Sequence, residues 1–218
     1  MKDQHYKLTI LSAIFVAGLI SANLLGAKVT TILGVTMSVA IFSYPITFLM
    51  TDVIGEVYGK KKAQQVVYAA FIAQLLVLFL TWLSVVLPPA SRYTTNAEYV
   101  TVFQGSIRMI IASLIAFAAS QMHDVWAFDW WKKKTNGKYL WIRNNASTVV
   151  SQAIDTLLFM FIAFYHINDK FTAGFILHLS VTYWGIKALF AIIDTPFTYA
   201  LVRWLRKGQD VSQGTAME

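Results

Sequence analysis

Apolar residues are collected into long blocks along this chain, and shorter polar stretches separate the blocks. A membrane-spanning helix needs about 20 predominantly apolar residues, and six blocks reach that length. The pattern predicts an all-α membrane protein with six transmembrane helices, at roughly Leu8–Gly26, Val35–Ile54, Ala63–Leu87, Ser106–Phe128, Ser147–Ile167 and His178–Val202. Residues 1–207 are predicted to form one transmembrane domain, and residues 208–218 a disordered cytoplasmic tail.

Composition agrees with a membrane protein that has no soluble domain of its own. Of the 218 residues, 57% are hydrophobic and only 13% are charged, whereas soluble domains carry about 25% charged residues. The chain has no cysteine, which excludes disulfides, zinc–thiolate sites and iron–sulfur clusters. No metal site or cofactor is predicted.

The basic residues predict the orientation in the membrane, because lysine and arginine concentrate in cytoplasmic loops. Three of them fall in loops on one side, at Lys28, Arg92 and Lys170. Thirteen fall on the other side, at Lys2, Lys7, residues 60–62, residues 132–134, Lys138, Arg143, Arg203, Arg206 and Lys207. Both termini are therefore predicted to be cytoplasmic. The net charge of +7 is assigned to this topology signal, and no nucleic-acid partner is predicted.

A polar stripe runs through the predicted fifth helix. Arg143, Ser147, Ser151 and Asp155 are spaced four residues apart, which places them on one slowly winding face. At a rise of about 1.5 Å per residue, Asp155 lies ~18 Å from Arg143 and near the middle of a bilayer. Ionisable groups at that depth are unfavourable and mark functional sites.

Further polar residues lie within or beside the predicted spans. Arg108 and Lys187 are candidates for ion pairs with Asp124, Asp155 or Asp194, because a buried charge needs a partner. In the second helix, Tyr44 and Pro45 are expected to mark a kink. The remaining candidates for the ligand path or for ion pairs are Asn23, Lys28, Asp52, Glu56, Gln121, Asn144 and Gln152.

At these positions the chain resembles the queuosine-precursor transporter family, also called the vitamin uptake transporter family, of six-helix bacterial inner-membrane proteins. The resemblance covers the chain from Leu8 to about Arg206. It is carried by Asn23 with Lys28, Tyr44-Pro45 through Asp52, Glu56, Tyr58 and Gly59, Arg108 with Ser113, Ser120-Gln121 and Asp124, Trp141-Ile142-Arg143-Asn144 with Ser147, Ser151-Gln152 and Asp155-Thr156, and Lys187.

The resemblance implies import of 7-cyano-7-deazaguanine and 7-aminomethyl-7-deazaguanine, which are salvaged for queuosine in tRNA. Such a base presents N1–H and an exocyclic amine side by side, and a carboxylate accepts from both. The substrate-binding residues are predicted to be Asp155, Gln152, Ser151, Asn144, Asp124, Gln121, Arg108 and Asn23, with Tyr44, Phe48 or Tyr183 as stacking surfaces. Coupling or ion-pair roles are predicted for Lys187, Asp194, Asp52, Glu56, Lys28 and Arg143.

Two other functions compete with transport by the chain alone. A substrate-capture subunit would need a separate energising partner, since the chain has no phosphate-binding loop of the G-x-x-x-x-G-K-[ST] type. An intramembrane enzyme using His123 and Asp124 lacks a nucleophile or metal cluster, so no enzyme activity is predicted. The sequence does not decide which precursor is preferred, whether protons drive transport, or whether the protein forms a homo-oligomer. Membrane lipid is predicted to surround the helices.

Overall fold

Long helices form most of the fold. A computed structural model describes residues 2–135 and 140–214. In order, the elements of this part of the chain are α1 (Lys2–Leu25), β1 (Val29–Ile32), β2 (Val35–Ser38), a 3-10 helix (Val39–Phe42), α2 (Tyr44–Tyr58), α3 (Lys60–Val86), α4 (Asn96–Lys134), α5 (Leu140–Phe164) and α6 (Ala173–Gly214).

Several of these helical segments are long and apolar enough to cross a bilayer. Within the described residues there are four such segments and one shorter apolar helix, Val149–Phe164. The four are His5–Leu25, Val39–Tyr58, Lys61–Val86 and Asn96–Ser120. The chain is therefore a helical membrane protein that crosses the membrane several times. The number six remains a prediction.

A β-hairpin occupies the region where the second helix was predicted to begin, so the predicted start at Val35 is wrong. Val29 pairs with Ser38 and Ile32 with Val35 in antiparallel register. The turn residues Leu33 and Gly34 both have positive φ, at 51° and 80°, as a two-residue type I′ turn requires. The strands contain several β-branched residues, which favour extended backbone.

Pro45 begins a helix instead of bending one. It lies in the first turn of α2, where its missing N–H removes no intrahelical hydrogen bond and its fixed φ suits the helix. The predicted kink inside the helix is therefore wrong. The interruption of this segment lies at Ser43, between the 3-10 helix and α2.

α4 and α6 extend beyond their predicted spans at both ends, whereas α5 begins before its predicted start and ends at Phe164, before the predicted Ile167. α4 has 39 residues and a length of ~58 Å, which exceeds a hydrocarbon core of about 30 Å. The connections on either side of α4 are therefore shorter than the gaps left between the predicted helices. α6 has 42 residues and contains Pro196. It runs to Gly214, so the described backbone of residues 208–214 is helical where a disordered tail was expected, because extending a formed helix is easier than nucleating one.

Two apolar cores hold the helices together. The first joins α4, α5 and the beginning of α6, and includes Met109, Met160 and Tyr183. The second joins α1, α2, α3 and the later part of α6, and includes Val53 and Val202. α6 belongs to both cores, and the residues between Tyr183 and Val202 connect them.

Candidate functional site

An ion pair between α5 and α6 lies on that connecting stretch of α6. The Lys187 Nζ atom is 3.2 Å from Asp155 Oδ2 and donates a second hydrogen bond of 3.2 Å to Thr156 Oγ1. The Lys187 side chain is only 10% exposed, whereas that of Asp155 is 32% exposed. A buried ammonium needs such partners, and the exposed part of the carboxylate is left accessible.

An aromatic ring from α2 completes this group. Lys187 Nζ lies 5.3 Å from the centroid of the Tyr44 ring, within the range of a cation–π interaction. The Tyr44 ring stacks on Phe48, one turn further along α2, with centroids 6.3 Å apart. We call Tyr44, Asp155, Thr156 and Lys187 the Lys187 site. It combines an ammonium, a carboxylate, a hydroxyl and an aromatic face from three helices.

Tyr183 lies one turn before Lys187 and anchors the β-hairpin. Its hydroxyl accepts a hydrogen bond of 2.7 Å from the Ser38 backbone N–H and donates one of 3.0 Å to the Ser38 carbonyl. The Ser38 hydroxyl in turn donates to the Gly26 carbonyl at 2.6 Å. The predicted role of Tyr183 as a stacking surface therefore competes with a structural one.

Arg108 binds main-chain carbonyls, and none of the described carboxylates forms the predicted ion pair with it. Its Nε donates to the Ile162 carbonyl at 2.7 Å, and Nη2 donates to the Tyr165 carbonyl. The last carbonyls of a helix lack intrahelical donors and carry partial negative charge. Arg108 of α4 thus caps the carboxyl end of α5.

The remaining predicted residues with described side chains lie at other helix contacts. Asn23 is 2% exposed and donates from Nδ2 to Ser113 Oγ at 3.4 Å, which joins α1 to α4. Ser151 Oγ is 3.0 Å from His123 Nδ1, which joins α5 to α4. Gln152 is half-buried on α5.

Acidic residues of α2 lie at the opposite end of that helix from Tyr44. Glu56 Oε1 forms an ion pair with Arg206 Nη2 at 2.7 Å, and both side chains are more than half exposed. Exposed pairs of this kind contribute at most about 1 kcal/mol. Asp52, one turn earlier, and Lys28, just after α1, are also exposed. These residues are therefore separate from the Lys187 site.

Five predicted residues fall outside the side chains that the structure describes. They are Gln121, Asp124, Arg143, Asn144 and Asp194. Of the predicted set, the structure brings together Asp155 and Lys187, with Tyr44 beside them.

The sequence matches a family model over residues 38–201, which span the chain from the end of β2 into the second half of α6. The family is described as "Putative vitamin uptake transporter". The chain belongs to this family. As a member of a transporter family it is a transporter and not an enzyme, and all four residues of the Lys187 site lie within the matched region.

Two curated relatives of this vitamin uptake transporter family member are similar over most of their length. The chain is 31% identical over 182 residues to the "Probable queuosine precursor transporter" of Bacillus subtilis (strain 168), covering 83% of this chain and 78% of the relative. It is 28% identical over 193 residues to the "Queuosine precursor transporter" of Escherichia coli (strain K12), covering 88% and 85%. No solved structure matches.

One buried polar residue of this transporter was missed by the sequence analysis. Gln74 lies within α3, is 2% exposed, and neither polar atom of its side chain has a hydrogen-bond partner among the described residues. In the sequence, Gln74 is the single polar residue of the apolar run from Ala69 to Leu80. It forms no pattern with other polar residues, so the spacing did not identify it.

Proposed function

We propose that this protein imports queuosine precursors, namely 7-cyano-7-deazaguanine and 7-aminomethyl-7-deazaguanine, across the inner membrane of a bacterium for salvage into tRNA. The similarity to two relatives named for queuosine precursors supports the substrate class. The structural observation that carries the proposal is the Asp155 carboxylate, which lies beside Lys187 and is about one-third exposed. Where α2, α5 and α6 meet, this carboxylate can accept hydrogen bonds from a planar base, whether the base is neutral or cationic.

The chemistry of the base suits this carboxylate. N1–H and the exocyclic amine of a deazaguanine point the same way, so both donate to one carboxylate in a fork. Lys187 now occupies Asp155 Oδ2, and the substrate displaces it from this oxygen. The Tyr44 ring is then available to stack on the base, and Gln152, three residues before Asp155, to meet the O6 acceptor.

The proposed topology has six spans with both termini in the cytoplasm, following the thirteen-to-three distribution of basic residues. Transport proceeds by alternating access, in which the helices around the Lys187 site expose it to one side of the membrane at a time. The chain acts alone, and does not serve as a capture subunit for a separate energising partner.

The proposal is tested with cells that cannot make queuosine. Supplying either precursor should restore queuosine in tRNA only when this protein is expressed. Purified protein in liposomes should then take up the precursor without any added protein. Restoration in cells combined with failure in liposomes would indicate a capture subunit, and failure in both would contradict import.

A set of Lys187-site variants separates binding from folding. We expect Asp155→Asn to weaken precursor binding at least tenfold, because an acceptor is replaced by a donor and bonds to charged groups contribute about 1.5–3 kcal/mol. Lys187→Met should lower the level of folded protein, since it leaves a carboxylate unpaired. The double variant should recover the folded level and still bind weakly.

Glu56→Gln with Arg206→Met is the matched control, because it neutralises an exposed ion pair elsewhere and should change neither property. Binding and membrane protein level are measured in parallel. Normal binding by the Asp155→Asn/Lys187→Met variant would remove Asp155 from the site and leave Asp124 as the candidate carboxylate.

A further inference from the structure

Gln74 is a buried carboxamide for which the described part of the chain provides no hydrogen-bond partner. Its side chain is 2% exposed, and neither Nε2 nor Oε1 has a partner among the described residues. Burying an amide without hydrogen bonds is unfavourable, more so away from water. A buried carboxamide without a partner is therefore a candidate for contact with a ligand.

Gln74 lies on the side of α3 that faces other helices. Residues elsewhere around α3 present large apolar side chains that are more than half exposed, at Ile72, Leu76, Phe79 and Leu80. These form the surface expected to contact lipid. Within a membrane, polar residues that face the bundle interior are the ones that mark substrate paths.

Helix geometry places Gln74 at the same depth as Asn23 and Ser113. The Phe71 and Phe117 rings, with centroids 5.7 Å apart, join α3 to α4, and these consecutive helices run in opposite directions. Gln74 is three residues beyond Phe71, and Ser113 is four residues before Phe117. The two displacements are about 4.5 and 6 Å along the axes, so both residues lie at one level.

Asn23 reaches the same level from α1. Its Nδ2 donates to Ser113 Oγ, its side chain is 2% exposed, and α1 contacts both α3 and α4. Two buried carboxamides and one hydroxyl are therefore collected in a layer of three mutually packed helices. We call Gln74, Asn23 and Ser113 the amide layer.

We propose that Gln74 contacts the substrate, and that the amide layer binds a planar lactam, that is, a ring with adjacent N–H and C=O groups. A carboxamide presents an acceptor oxygen beside a donor NH₂, so it pairs with a lactam through two parallel hydrogen bonds. Gln74 Oε1 accepts from the ring N–H, and Nε2 donates to the ring carbonyl. This inference rests on the proposed function and adds a substrate contact on α3.

The amide layer and the Lys187 site bind different pairs of atoms on the same base. Asp155 accepts from N1–H and the exocyclic amine, whereas Gln74 binds N1–H and O6. Because both use N1–H, one molecule of substrate engages them in turn. The substrate therefore binds the amide layer and the Lys187 site one after the other during transport. The amide layer is closed in the conformation described here, since both carboxamides are buried.

The test compares Gln74→Met with Gln65→Met in the purified full-length protein. Met matches Gln in length and lacks its polar atoms, and Gln65 is an exposed residue on the same helix. Thermal melting is measured for each variant, together with binding of 7-cyano-7-deazaguanine, guanine and 2-aminopurine. The last of these keeps the exocyclic amine but lacks the lactam.

We expect Gln74→Met to raise the Tm, because an unpaired polar group is removed from the interior, and to weaken binding of both lactam bases about tenfold. Binding of 2-aminopurine should not change, and Gln65→Met should alter neither property. Loss of affinity together with a gain in stability is expected when a residue is retained for function although it lowers the stability of the fold.

Unchanged lactam binding by Gln74→Met would overturn the inference, and so would a lower Tm, which would show that the amide is already satisfied within the fold. Wild-type binding of guanine without the deazaguanine would contradict the proposed function alone, and the guanine data would still decide the role of Gln74. If the wild type binds none of the three bases, both proposals are wrong.

Discussion

The Tyr183 hydroxyl joins two segments that are 145 residues apart in the chain. It serves both backbone groups of Ser38, the residue at which β2 passes into the 3-10 helix. Tyr183 is 1% exposed, so water cannot replace it at the Ser38 N–H and C=O. One side chain of α6 therefore fixes where the hairpin ends, one turn from Lys187.

We predict that Tyr183→Phe destabilises the protein by about 1–3 kcal/mol, because it leaves buried backbone groups without partners. The measurement is the free energy of unfolding or the Tm in detergent. Tyr199→Phe is the control, since Tyr199 lies on the same helix but is 73% exposed, and it should have little effect. Equal effects of the two substitutions would contradict the anchoring role.

Residue spacing predicted part of the Lys187 site. The four-residue spacing that ends at Asp155 identified the helix that carries it, and a buried lysine required an acid. Sequence alone left three carboxylates as partners of Lys187, because pairing between helices depends on how α5 and α6 rotate against each other. Gln74 was missed for a related reason, since no residue of the described chain pairs with it and its sequence neighbours are apolar.

At the level of elements, the carboxyl end of α5 depends on a residue of α4. Arg108 donates to the carbonyls of Ile162 and Tyr165. These lie where the helix ends and the chain turns toward α6, with His166 at a positive φ of 55°. A planar guanidinium satisfies two carbonyls at once, which fixes the end of α5 against the first apolar core.

We predict that Arg108→Gln lowers stability by about 1.5–3 kcal/mol through loss of charge-assisted hydrogen bonds, a fall of a few degrees in Tm. Precursor binding by the protein that remains folded should be close to normal, because the side chain is used by the fold. Arg92→Gln, at an exposed loop position, should leave the Tm unchanged. Normal stability with lost binding would return Arg108 to the predicted substrate-binding set.

Hydropathy predicted the positions of the helices better than their ends. Blocks of apolar residues identify α1, α3 and the apolar part of α5 because lipid and core both select for them. The hairpin was missed because Val35 and Met37 count as apolar in either a strand or a helix, and only the period distinguishes the two. The ends of α4 were missed because its polar first turns continue a helix outside the apolar block.

For the whole molecule, α6 links the two halves of the bundle. Its first part belongs to the core of α4 and α5, and its later part to the core of α1, α2 and α3. The Glu56–Arg206 pair brings the end of α2 and the later part of α6 to one face. The basic residues at the start of α3 follow directly after α2, so this is the face that the charge distribution assigns to the cytoplasm.

We predict that reporter fusions after Lys62, Lys138 and Lys207 give cytoplasmic signals, because these positions follow the basic segments. Fusions in the loop 88–95 and in residues 168–170 should give external signals. Enzymatic reporters active on opposite sides of the membrane provide the measurement and control each other. An external signal at Lys138 would contradict the six-span topology.

The pairing of Lys187 with Asp155 also has an electrical consequence. Moving one elementary charge across the membrane involves work of about 2.3 kcal/mol per 100 mV of membrane potential. A lysine and an aspartate that move together have no net charge, so their movement involves no such work. Because Lys187 and Asp155 neutralise each other in the unloaded site, the site can change sides of the membrane without doing work against the membrane potential. In the proposed mechanism, an uncharged 7-cyano-7-deazaguanine that takes the place of Lys187 at the carboxylate leaves the sum of charges at zero, so the loaded step would be electrically silent as well.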